Sequence, residues 1–143
     1  MLDNYRDLID ELLGTPAALR TLGGDAGPEG LPAPVISLIG ELRDRDLEVH
    51  ARLQTMRSER NPYLRALAES PRPMAGSEDA EAALQGFDAA RGELVSLLMN
   101  LTLKDWERTA THEVDGEITL ADEVERHVEF DEDRLAQARA AAR

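Results

Sequence analysis

Apolar side chains recur at intervals of three and four over most of this chain, the spacing that gathers them on one side of an α-helix. From Leu2 to Leu13 the run is Leu2, Tyr5, Leu8, Ile9, Leu12 and Leu13, which predicts an amphipathic first helix with Asp3 as its cap. Gly14-Thr15-Pro16 is expected to break it, with a short continuation from Pro16 to Leu22 that ends at Gly23-Gly24. Asp25 to Pro34, rich in glycine and proline, is expected to be a loop. Val35 to about Arg57 predicts a long second helix burying Val35, Leu38, Ile39, Leu42, Val49, Leu53 and Met56, with Arg43, Asp44, Leu47, Glu48 and Ala51 on a solvated face.

After an interruption at Asn61-Pro62, a short helical turn from Tyr63 to Ala68 and a rigid Ser70-Pro71-Arg72-Pro73 connection are expected. Ser77, with Asp79 and Glu81, then starts a third helix through Ala80, Leu84, Phe87, Ala90, Leu94, Val95, Leu98 and Met99. The linker from Leu101 to Ile118 holds Trp106 as a hydrophobic anchor, and from Thr109 it reads as extended chain with a turn at Asp115-Gly116. A fourth helix closes the chain. Thr119 with Asp122 makes its capping box, and Leu120, Val124, His127, Asp131, Arg134, Leu135 and Ala138 share one face, flanked by Val128 and Phe130. Four amphipathic helices each need cover, which predicts an all-α four-helix bundle, up-down-down-up, with long connections, as a single domain over residues 1–143.

Composition narrows the function more by exclusion than by indication. A formal net charge of −13 argues against nucleic acid and anionic membranes as partners. The absence of cysteine removes disulfides, thiolate-bound zinc, iron–sulfur clusters and thiolate nucleophiles together. No stretch reaches the roughly 18 consecutive apolar residues of a membrane span, and the acidic start does not resemble a signal peptide, so the expected location is cytoplasmic. Ser37, Ser96 and Thr102 lack the glycine-rich elbow of a nucleophile, and neither a phosphate loop nor a dinucleotide fingerprint occurs.

Polar residues inside apolar stripes are the candidates for chemistry, because a buried charge or imidazole needs a partner. Asp46 and His50 on the second helix, and His127 and Asp131 on the fourth, are each four apart and so share a face. The bland expectation is His–Asp hydrogen bonding within or across helices; the sharper one is zinc or manganese on two imidazoles and two carboxylates. His112 either pins the linker through its ring nitrogens or lines a pocket at the bundle mouth.

Three stretches resemble the DinB-like family of four-helix bundles. They are Ile39-Gly40-Glu41-Leu42-Arg43-Asp44-Arg45-Asp46, the linker from Trp106 through His112-Glu113-Val114-Asp115-Gly116 to Leu120, and Phe130-Asp131-Glu132-Asp133-Arg134-Leu135-Ala136-Gln137. The resemblance implies a divalent metal held by one histidine on the second helix and two on the fourth, and in some members transfer or hydrolysis of groups with low-molecular-weight thiols. Those ligand positions fall here on Glu41, Phe130 and Arg134. A phenyl ring has no donor atom and a protonated guanidinium cannot ligate a cation, so of the three only Glu41 could still bind metal. Carboxylate and guanidinium either meet, directly or through a water, where the ion would stand, with Phe130 filling the remaining volume, or both reach solvent at the bundle end.

The leading expectation is a DinB-like protein without metal or other cofactor, a small-ligand binder or interaction module using Glu41, Asp46, His50, His112, His127, Phe130, Asp131 and Arg134. The alternatives are a metal-dependent hydrolase or thiol transferase, with zinc, nickel or manganese on a rearranged set of Glu41, Asp46, His50, His127 and Asp131, and a structural homodimer. Part of the third helix's Phe87, Leu94, Leu98 and Met99 stripe would supply the dimer face.

Overall fold

In a computed structural model of the chain, residues 2–68 and 79–143 are described, apart from the side chains of Leu2 and Asp3. The expected Asp3 cap, the Ser70–Pro73 connection and the Ser77 start therefore lie outside the described residues. Four long helices form the bundle: α1 (Leu2–Thr21), α2 (Ala33–Ser58), α3 (Ala80–Met99) and α5 (Leu120–Ala141). Between them run a 3-10 turn (Gly24–Gly30), strand β1 (Tyr63–Leu64), the short helix α4 (Leu103–Trp106) and strands β2 (Thr109–His112) and β3 (Gly116–Thr119).

Both α1 and α2 pack on α3 and α5, which places α1 and α2 diagonally across the bundle. Cross-helix contacts give the directions. Arg20, late in α1, reaches Asp88 early in α3 at 2.5 Å, and Thr15 bonds Asp131, so α1 runs against α3 and with α5. Arg134 late in α5 lies by Glu41 early in α2, and Glu123 early in α5 bonds Arg52 late in α2, so these two are antiparallel. The order is up-down-down-up.

Several local expectations are corrected. Helix α1 does not end at Gly14-Thr15-Pro16 but continues through Pro16. Proline removes the N–H that would bond the Leu12 carbonyl. Arg91 Nη1 donates to that carbonyl at 2.7 Å instead, so the helix loses a ladder bond without leaving a buried acceptor unpaired. The loop expected from Asp25 to Pro34 contains the 3-10 turn. The helical turn expected over Tyr63 to Ala68 is instead β1, paired in parallel with β2 (Tyr63 opposite Thr111, Leu64 opposite His112). Non-local pairing overrides local propensity there. Asp44, placed on the solvated face, is buried.

The linker forms an antiparallel hairpin, β2 on β3, turning at Glu113 to Asp115 with Gly116 at φ 73°. Its short α4, capped reciprocally by Thr102 and Asp105, was not anticipated. Trp106 is buried and stacks on Tyr5 of α1 with ring centroids 4.5 Å apart, anchoring the linker as expected. The Leu120 N–H bonds the Arg108 carbonyl at 2.8 Å, and the Thr119–Asp122 capping box starts α5 where the sequence places it. Phe87, Leu94 and Leu98 are core residues, so only Met99 of the stripe considered for a dimer face is exposed.

The core is divided. One apolar cluster includes Leu12, Val49, Leu53, Leu94, Leu98 and Val124; the other includes Leu19, Ile39, Leu42, Leu84, Phe87 and Ala138. Between them each helix contributes a polar residue at one level: Thr15, Asp46, Arg91, and on α5 His127 and Asp131, all buried. Arg91 is the hub. Its Nε and Nη2 meet Asp46 at 2.8 and 3.0 Å, and Nη2 also reaches Asp131 at 2.6 Å. His127 Nε2 donates to Asp46 Oδ1 at 2.7 Å, while its Nδ1 has no partner. Burial alone would push the Asp46 carboxyl up, but the His127 hydrogen bond and the Arg91 charge outweigh it and hold the pKa below its ordinary value.

Two predictions follow from this layer. Arg91→Met leaves two buried carboxylates and the Leu12 carbonyl uncompensated, and is expected to lower the urea unfolding free energy by about 3–5 kcal/mol. A loss below roughly 1 kcal/mol would contradict the hub role. Because the folded pKa of Asp46 lies below the unfolded one, its contribution is fully present above the unfolded value and is lost as pH falls through the folded value. The stability gap between the wild type and Asp46→Asn should therefore shrink below about pH 4. A gap independent of pH through that range would show the carboxylate is not held as described.

Candidate functional site

Along the outer side of the polar layer a cleft of about 640 Å³ opens between α2 and α5, closed at its edge by His112 of β2 and the chain at Ala66 to Ala68. Glu41, Arg45 and Arg52 face it from α2, spaced to lie along one side of that helix. Arg126, Phe130 and Arg134 face it from α5, again at intervals of four.

Phe130 sits at the centre of the arrangement. The Arg45 guanidinium carbon lies 4.2 Å from its ring centroid and that of Arg134 4.3 Å, so two cations share one ring. The His127 ring lies nearly parallel to it at 6.3 Å, linking the cleft to the buried layer behind. Arg134 Nε stands 3.8 Å from Glu41 Oε1, an ion pair beyond hydrogen-bond length, and Arg134 Nη1 bonds Asp133 at 2.5 Å. Carboxylate and guanidinium thus meet, with the phenyl ring beside them.

Further along, Arg52 Nη2 binds both oxygens of the buried Glu123 at 3.1 and 3.2 Å, and its Nη1 donates to the Arg65 carbonyl at 2.7 Å. Arg45 is balanced differently. Its Nη2 donates to the Ala68 carbonyl, its Nε has no partner, and the carboxylate it pairs with, Glu48, is 3.8 Å away and half-exposed. Burial depresses its pKa; Glu48 opposes that, and the positive charges of Arg134 and Arg52 add to it.

His112 is buried, and the N–H groups of Val114 and Asp115 both donate to its Nδ1, at 3.1 and 3.2 Å, which pins the hairpin turn. Arg126 Nη1 lies 2.8 Å from Nε2, and its Nη2 pairs with Asp115. An imidazole offers one lone pair at most, so in every protonation state one of these N–H groups faces another donor.

Of the residues singled out in the sequence, Glu41, His112, Phe130 and Arg134 share the cleft. Asp46, His127 and Asp131 belong to the buried layer beneath it. His50 joins neither: it borders a shallow groove with Glu93, Ser96 and Asn100 between α2 and α3, about 40° too far round the helix from Asp46. The five residues of the alternative metal set therefore do not converge. Asp46 and Asp131 are claimed by Arg91 and Glu41 by Arg134, and among the described residues no three His, Asp or Glu side chains are grouped as an ion would require. With a phenyl ring and guanidinium at two of the three positions, the donor set does not fit a divalent cation.

Sequence reasoning passed over Arg45, Arg52, Arg91 and Glu123. The signal for two of them was present: Arg45 lies one turn from Glu41, and Arg91 falls between Phe87 and Leu94 inside an apolar stripe.

The fold and site can now be set beside known proteins. The structure is similar to YfiT from Bacillus subtilis, a probable metal-dependent hydrolase with an unusual four-helix bundle topology, at a TM-score of 0.78 and 16% sequence identity. The likeness covers 99% of this chain and 87% of that one, and at such identity it speaks for the fold alone. No curated protein matches. Among the described residues no helix is long and apolar enough to cross a membrane. The model of the DinB superfamily matches residues 4–138, nearly the whole bundle, and the chain belongs to that superfamily.

Proposed function

We propose that this chain is a DinB-superfamily bundle whose cleft binds a small ligand in place of carrying out chemistry on a metal ion. The observation that carries the reading is the group at positions 41, 130 and 134: a guanidinium that lies over a phenyl ring and 3.8 Å from a carboxylate. Each satisfies a neighbour that an ion would otherwise occupy, and Arg134 adds a fixed positive charge where a cation would have to enter. The opening remains, about 640 Å³ with both charged and apolar walls, a size and mixture suited to a small organic molecule. The competing reading, a metal-dependent hydrolase or thiol transferase with rearranged ligands, is favoured by the likeness in fold to YfiT but finds no set of three donors among the described residues.

Metal analysis of protein purified without chelator tests the choice. The expected result is substoichiometric zinc, nickel and manganese, unchanged in His127→Ala; a stoichiometric ion lost in that variant would overturn the reading. The reverse substitution gives a second measurement. Phe130→His combined with Arg134→His places two imidazoles four apart on α5 opposite Glu41, and is expected to create saturable zinc binding that Glu41→Gln weakens. Failure of the double variant to bind zinc would show that these positions do not converge as described.

A further inference from the structure

Two other arginines with little exposed surface have carboxylates within hydrogen-bond distance. Arg91 has Asp46 and Asp131, and Arg52 has both oxygens of Glu123. Arg45 departs from the pattern. Its side chain is 8% exposed, yet among the described residues no carboxylate stands within hydrogen-bond distance of it: Glu48 is 3.8 Å away with close to half its surface in water. A desolvated guanidinium whose charge no close carboxylate balances is costly to hold. Two like charges worsen the position: Arg134 shares the Phe130 ring with Arg45, so the two cations stand no farther apart than opposite sides of one phenyl group. Farther along the same cleft, the His112–Arg126 contact sets donor against donor.

We propose that the cleft binds the oxyanion of a small organic molecule, a carboxylate or a phosphate group, on the Arg45 guanidinium beside Phe130. An anionic oxygen beside the guanidinium offsets the positive charge of the Arg45–Arg134 pair, and a planar guanidinium takes such groups in a charge-assisted, directional contact. The wall at Ala66 and Leu67 leaves room for the hydrocarbon part of the molecule. This inference rests on the metal-free reading above, because a bound cation would itself attract the anion.

The test uses the full chain, freed of metal on a chelating resin, titrated at constant ionic strength with inorganic phosphate, acetate and butyrate while backbone amide resonances are followed. The expected result is saturable shifts around Ala66, Leu67 and Phe130 for at least one probe. Saturation by phosphate alone assigns a phosphate ligand; saturation by the carboxylates, with butyrate tighter than acetate, assigns an organic acid. Arg45→Met should weaken binding at least about tenfold, the usual loss for one hydrogen bond to a charged group. Its thermal midpoint should not fall, since an uncompensated cation has been removed. Arg45→Lys, which keeps the charge and the stem but loses the fork, should bind with intermediate strength and is read in its place if the methionine variant does not fold. Absence of saturation by all three probes, or unchanged binding in both variants, overturns the proposal while leaving the metal-free reading intact. Binding that appears only when zinc is added would instead sink the metal-free reading.

Discussion

One guanidinium in the middle of the bundle ties all four long helices together. Arg91 on α3 bonds a carboxylate on α2, a carboxylate on α5 and a carbonyl on α1. Removing one member of such a layer leaves an unpaired buried charge, which is far more costly than the layer is stabilising. Its value is positional. Leu and Ile side chains slide past one another at little cost, so the two apolar clusters above and below would accept more than one register, whereas three directional contacts from one planar group accept few. The proline in α1 belongs to the same device, because it frees the carbonyl that the third contact uses.

The cleft inherits its geometry from this layer. His127 bonds Asp46 through Nε2, which fixes how far α5 stands from α2 at that level. Phe130 follows three residues later on α5, with its ring nearly parallel to that of His127, and Arg134 one turn beyond that. On α2, Arg45 adjoins Asp46, and Glu41 lies just over a turn before it. Two helices locked to each other behind the cleft give an opening whose walls are held by rigid elements, the condition under which side chains can be presented to a ligand without reordering.

Much of the bundle was legible because burial imposes the helical period. The stripe Val35 to Met56 and the stripe Leu120 to Ala138 are core for the reason their spacing suggests, and the Thr119–Asp122 box marks a real helix start. Where reading failed, a distant partner decided the outcome. Pro16 does not end α1, because Arg91 is seventy-five residues away in sequence and invisible to any local rule. Tyr63-Leu64 becomes a strand because β2 lies beside it. The site was half legible. Polar residues within apolar stripes, Asp46, His127 and Asp131, did mark the polar layer, but the acidic partners were weighed as ligands before their arginine was noticed. A single sequence shows which groups must be compensated and leaves open by which neighbour. His50 failed for a simpler reason: four residues from Asp46 is nearly the same face, but the remaining rotation, about 40° on an ideal helix, is enough to carry a side chain from the α5 side to the α3 side.

An arginine in place of a metal ion changes what a site can do, as well as what it can hold. A divalent cation lowers the pKa of its own bound water and so generates a nucleophile at neutral pH. A guanidinium cannot: it stays protonated, has no vacant orbital for a water oxygen and offers only hydrogen bonds and charge. Whatever it adds to a rate must come from hydrogen bonds and charge aimed at where negative charge develops, with the nucleophile supplied elsewhere. Catalysis in this cleft would need a base close to the bound group. Glu41 is engaged by Arg134, Glu123 by Arg52, and both ring nitrogens of His112 face N–H donors, so these three are already committed to other contacts. The same pairings that hold the cleft in shape engage Glu41, Glu123 and His112, and any of the three would have to leave its partner before it could take a proton.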